Sequence, residues 1–69
     1  EGLSIYEKIA NRLEEYLTDS GQAFFEIGFN QGTNVQRIFS EACPNRKVTI
    51  DKDIAGMDRM IIVSGKETQ

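Results

Sequence analysis

The sequence predicts an α/β domain with the order helix, strand, helix, strand, strand, the last strand antiparallel and central in its sheet. Three observations predict this. Two stretches carry apolar residues at helical spacing, with a short aromatic segment between them. The last two apolar stretches are joined by a turn too short for a crossover, which makes them antiparallel neighbours. Met60 to Val63 is apolar without interruption, whereas Lys47 to Lys52 alternates. A continuous run belongs inside a sheet, covered on both faces, and an alternating one at its edge. The expected strand order is first–third–second. The first strand, the second helix and a later strand form a right-handed crossover unit.

The first helix is expected over Leu3 to Leu17. Ile5, Ile9, Leu13 and Tyr16 or Leu17 form its apolar face, with Leu3 and Tyr6 at the margin. Glu7, Lys8, Arg12, Glu14 and Glu15 fill the other face. Ser4 with Glu7 three residues on is the capping-box pattern. Asp19-Ser20-Gly21 supplies turn chemistry after the helix.

Gln22 to Phe29 is short, aromatic-rich and bounded by Gly21 and Gly28, and reads as a strand. A turn at Asn30 to Thr33 leads into a second helix, Asn34 to Ala42. There Val35, Ile38, Phe39 and Ala42 share one face, Thr33 is the expected N-cap, and Pro44-Asn45 stops the helix. Val48 and Ile50 set the inner face of the second strand, and Asp53 to Asp58, with Ala55-Gly56, is a turn. Arg59 to Ser64 is the third strand, in which Ile61 and Ile62 should matter more to the fold than Val48 or Ile50. The tail Gly65 to Gln69 is polar and expected to fray.

Residues 1–69 read as one domain, small enough to bury only ~60% of its unfolded surface. One Cys and no His exclude an internal disulfide and argue against a structural zinc site. A net charge of −3 argues against direct nucleic-acid binding. The longest apolar run, Met60 to Val63, is far too short to cross a membrane. No secretory signal is visible, and the opening Glu1-Gly2 does not read as a natural start. An unpaired Cys43 fits a reducing, cytoplasmic setting.

Glu26-Ile27-Gly28-Phe29-Asn30-Gln31-Gly32 is strand, glycine-containing turn and helix, the pattern of a nucleotide or cofactor cradle. Asp51, at the end of Val48-Thr49-Ile50, could take ribose hydroxyls. Against this, the spacing is G-x-x-x-G and Phe29 stands where a second glycine is needed. The plain alternative is a strand-end bend at Gly28 and a turn residue at Gly32. Asp51, Asp53 and Asp58 could gather around a cation, but no EF-hand spacing is present. A solvated hairpin with Lys52 and Arg59 as counter-ions is the favoured reading. Without a His, Cys43 has no base to activate it, and it reads as a small packing residue. Tyr6, Tyr16 and the four Phe residues read as core rather than as a base-stacking platform.

Gly2-Leu3-Ser4-Ile5-Tyr6, Ser20-Gly21, Glu26 to Gly32 and Lys52-Asp53-Ile54-Ala55-Gly56-Met57-Asp58-Arg59 together resemble, in order and spacing, the C-terminal end of the HemK-type protein-(glutamine-N5) methyltransferases. The resemblance runs from Gly2 to about Ile62. It implies the C-terminal part of a class I methyltransferase, a Rossmann-like three-layer α/β fold whose fifth–seventh–sixth strand edge matches the order inferred above. It also implies that the parent enzyme uses S-adenosylmethionine to methylate the glutamine amide of the Gly-Gly-Gln motif of peptide-chain release factors. The family's cofactor loop and its Asn-Pro-Pro-Tyr motif lie upstream of the Gly-Leu-x-x-Tyr segment. The only Pro here is Pro44, preceded by Cys43. Glu26 to Gly32 then corresponds to the fifth strand and its turn. No catalytic, cofactor-binding or metal residue is carried over, and this fragment alone is expected to be inactive and to bind no cofactor. The alternatives are a free-standing structural or interaction domain, and a nucleotide-binding mini-domain using Gly28, Gly32 and Asp51. The bared edge of the first strand and the apolar side of the first helix further predict self-association.

Overall fold

The computed structural model describes residues 2–66. Helix α1 spans Leu3–Tyr16, strand β1 Ala23–Glu26, helix α2 Gly32–Ala42, strand β2 Arg46–Lys52 and strand β3 Asp58–Lys66. The sheet order is β1-β3-β2, and β3 is antiparallel to both neighbours. The expected element order, strand order and central place of the last strand are therefore met. Apolar residues of both helices and of one sheet face share a single cluster, in which Val35, Phe39, Cys43, Ile61 and Val63 have no exposed surface. Phe39 sits at its middle, stacked on Phe25 at 4.8 Å and edge-on to Tyr6 at 6.5 Å.

The inward stripe of α1 differs from the expected one. Ala10 and Leu13 are buried, and Leu3, Tyr6 and Leu17 pack against the cluster, while Ile5, Ile9 and Tyr16 are exposed. Both stripes have helical spacing and share Leu13, so periodicity cannot choose between them. The choice is made by Phe39 and by the edge of β1, where the Tyr6 hydroxyl donates to the Glu26 carbonyl at 2.8 Å. The predicted cap also moves: Gly2 is the N-cap, and Ser4 lies within the first turn.

Three further boundaries shift for local reasons. The chain leaves the sheet soon after Glu26, because Gly28 begins a turn in which its carbonyl accepts from the Gln31 amide at 3.0 Å. Phe29 is consequently outside the strand and 64% exposed. α2 begins at Gly32, with Gln31 as its N-cap, so Thr33 is a helical residue and not the cap. β3 runs on through Gly65 and Lys66, where the Lys66 amide donates to the Asp19 carbonyl. The rest of the tail predicted to fray, Glu67 to Gln69, lies outside the described residues.

Met60 to Val63 is not covered equally on both faces. Ile61 and Val63 are fully buried, but Met60 and Ile62 are only partly so. Ile62 pairs with Phe24 and Thr49 on the second sheet face, where Phe24 is 56% exposed. That face carries apolar side chains with incomplete cover among the described residues.

The outer edge of β1 is also defined by the ladder. The Ile27 amide donates to the Arg59 carbonyl at 3.0 Å. Antiparallel bonds fall on alternate residues, so the backbone groups of Phe24 and Glu26 point away from β3. Tyr6 occupies the outward carbonyl of Glu26.

Candidate functional site

The family-resembling segments lie far apart in sequence, and most of them meet at one end of the sheet, where β1 and β2 finish and β3 begins. Tyr6 reaches the Glu26 carbonyl, and Gly2 abuts the Gln31 side-chain amide, whose Nε2 would lie 3.1 Å from a Cβ at Gly2. The Gln31 Oε1 accepts from the Gly28 amide at 3.1 Å. Ile27 is bonded to Arg59, and Gly32 lies directly against the Asp58 carboxylate. Ser20-Gly21 is the exception and sits at the opposite end.

The hairpin between β2 and β3 explains the residue types of its motif. The Gly56 amide donates to the Asp53 carbonyl and the Asp53 amide to the Met57 carbonyl, both at 2.9 Å. Gly56 has φ of +85°, the left-handed geometry that a three-residue hairpin loop needs at its last position and that glycine adopts without cost. Asp53 Oδ1 accepts from the Met57 amide at 3.0 Å and Oδ2 from Arg59 at 2.9 Å. These two contacts, the Met57 amide first, hold the Asp53 carboxyl below its ordinary pKa. Lys52 pairs with Asp58. The cation at 52 thus meets the anion at 58, and the anion at 53 meets the cation at 59.

This geometry does not assemble a nucleotide cradle or a cation site. The Gly28 amide is already taken by Gln31, and the Asp58 carboxylate lies against Gly32, the first residue of α2. Asp51 is exposed on β2, separated from β1 by β3. Asp53 and Asp58 are each turned to their own cation, and no group of three potential metal ligands occurs among the described residues. The polar groups at this turn are therefore engaged with one another. Cys43 is fully buried, and burial, with Glu14 adding to it, pushes its thiol up, away from the reactive thiolate.

The opposite end holds a residue that the sequence reading passed over. Arg46 has no exposed side-chain surface, yet all five of its N–H donors are used. Nε and Nη2 grip the two Glu14 oxygens at 3.0 and 3.2 Å. The remaining bonds go to the carbonyls of Thr18 at 2.8 Å, Gly21 at 2.9 Å and Ser64 at 3.2 Å. One extra residue in β3 between Val63 and Lys66, a bulge opposite Arg46 to Val48, accompanies this arrangement. The signal was available: Arg46 shares its parity with Val48 and Ile50, so it continues the inward face of β2.

No protein-family model matches the chain. It is 49% identical over 63 residues to the release factor glutamine methyltransferase of Lactococcus lactis, a match covering 91% of this chain and 23% of that protein. The corresponding protein of Thermodesulfovibrio yellowstonii is 43% identical over 63 residues, covering 91% of this chain and 22% of that one. Among solved structures, the protein-(glutamine-N5) methyltransferase (release factor-specific) of Alicyclobacillus acidocaldarius superposes with a TM-score of 0.80 at 31% identity, over 96% of this chain and 42% of that one. The chain spans about a quarter of the length of the curated relatives it matches. With this identity and this fold along nearly its whole length, the chain belongs to the release factor glutamine methyltransferase family.

Proposed function

We propose that this single domain is the C-terminal part of a cytoplasmic, S-adenosylmethionine-dependent methyltransferase that modifies the glutamine amide of the Gly-Gly-Gln motif in peptide-chain release factors. The observation that supports this most is the interlocking of the motif residues at one sheet end, in a chain that superposes on a release factor-specific methyltransferase. On this reading the chain supplies scaffold: one edge of the sheet and the hairpin beside the carboxyl ends of its strands, where α/β folds bind ligands. It carries no catalytic, cofactor or metal residue of its own, and by itself it transfers no methyl group. The test is methyl transfer from labelled S-adenosylmethionine to a release factor, comparing the 69-residue chain with the longer protein that contains it. Activity is expected only in the longer protein. Turnover by the short chain above a no-enzyme blank would overturn the scaffold reading.

A second reading, self-association of the isolated chain, is favoured by the edge of β1 and the exposed Phe24, Ile5 and Ile9. Unpaired strand edges and apolar patches both promote association. Tyr6 guards only one outward carbonyl, so Tyr6→Phe should strengthen association in sedimentation across a concentration series. A strictly monomeric chain at every concentration would remove this reading.

A further inference from the structure

The start of α2 receives no help from its own sequence. Its N-cap is Gln31, no side chain caps it, and its first turn holds no acidic residue. A helix amino end leaves backbone N–H groups without intrahelical partners and carries partial positive charge. A nearby anion comes instead from another element. Asp58, the first residue of β3, lies so close to Gly32 that a Cβ there would sit 2.0 Å from Oδ2 and 2.8 Å from Cγ. Its side chain is 16% exposed, whereas that of its partner Lys52 is 58% exposed.

We infer that Asp58 is a positioning residue, the negative charge at the amino end of α2 that the helix itself lacks. Through it the β2–β3 hairpin is locked to the turn Gly28 to Gly32. Glycine at 32 is then required for space, since its φ is not in the left-handed region. Lys52 holds the carboxylate from the hairpin side. The hairpin loop and the β1–α2 turn behave as one body, and their exposed apolar side chains, Phe29, Ile54 and Met57, are held in a fixed relation.

The test is a cycle of Gly32→Ala, Asp58→Ala and the double variant, with Asp58→Asn beside it, read by urea unfolding and amide spectra. Gly32→Ala is expected to destabilise the chain. The same methyl should cost far less once Asp58 is Ala, a coupling of roughly tenfold or more in the unfolding constant. Simple additivity would overturn the contact. Asp58→Asn keeps the shape and removes the charge, so it should shift the amides of Gly32 to Val35 and lower the midpoint. A wild-type response from Asn would overturn the electrostatic role. If Gly32→Ala does not fold, amide exchange in Asp58→Ala decides. Faster exchange at the hairpin and the first turn of α2 together supports the lock, and faster exchange at the hairpin alone overturns it.

Discussion

At one end of the sheet, Arg46 has no exposed side-chain surface and spends every donor on Glu14 and three carbonyls. At the other end, Lys52 and Arg59 lie 58% and 62% exposed in their pairs with Asp58 and Asp53. A charge taken out of water costs several kcal/mol unless its partners are complete, whereas an exposed pair contributes only ~0.2–1 kcal/mol. The motif-rich hairpin end is thus assembled from contacts that are individually small. The end with only Ser20-Gly21 as a family signature is held by one residue that tolerates no omission. Recurring motif and stability are separate properties of this fold, placed at opposite ends of one sheet.

The comparison predicts a graded set of effects. Arg46→Ala should be the most damaging, removing the five hydrogen bonds that Glu14 and the Thr18, Gly21 and Ser64 carbonyls accept from it. Glu14, with 37% of its side chain exposed, is left to solvent, but each buried carbonyl that loses a donor costs about 1–3 kcal/mol, which for a domain this small removes cooperative urea unfolding. A variant that unfolds at the wild-type midpoint would break the comparison. Arg46→Lys should recover only part of the loss, because an ammonium cannot reproduce the forked geometry.

Ile61→Ala is expected next, at about 2–5 kcal/mol, with Ile62→Ala clearly milder. Ile61 is fully buried and Ile62 is not. Equal losses for the two in denaturant titrations would show that the second sheet face is covered in solution.

Acid should act at both ends, through Asp53 at the hairpin and through Glu14 at the Arg46 end. The hydrogen bonds from Arg46 hold the Glu14 carboxyl below its ordinary pKa, despite the opposing effect of desolvation. A carboxyl depressed in the folded state stabilises it at neutral pH, and the contribution is lost as pH falls through the ordinary range near ~4 toward the folded value. The urea midpoint should therefore drop on acidification. Glu14→Gln should lower the neutral midpoint and flatten the acid limb. An unchanged acid limb would remove Glu14 from this role.

The smallest effect belongs to the hairpin tip. Arg59→Ala should cost ~0.2–1 kcal/mol by denaturant midpoint, since the Met57 amide still holds Asp53. A loss comparable to that of Arg46→Ala would erase the contrast between the two ends.

The element order, the central antiparallel strand and the family were legible in the sequence, because each rests on local pattern. Continuous against alternating apolar residues placed β3 inside the sheet, and the spaced Gly-Leu-x-x-Tyr, Glu-Ile-Gly-x-x-Gln and Lys-Asp-x-x-Gly-x-Asp-Arg segments carried the resemblance. Tertiary structure decided what local pattern leaves degenerate. It chose Leu3, Tyr6 and Ala10 over Ile5 and Ile9 as the inward stripe of α1, because only packing against Phe39 and β1 separates two stripes of equal periodicity. It placed Asp58 against Gly32, and it made Arg46, one residue before the strand expected over Lys47 to Lys52, the buried brace of the sheet. Those contacts join residues far apart in the chain, and burial, which sets their energy, is a property of the folded chain and not of any segment within it.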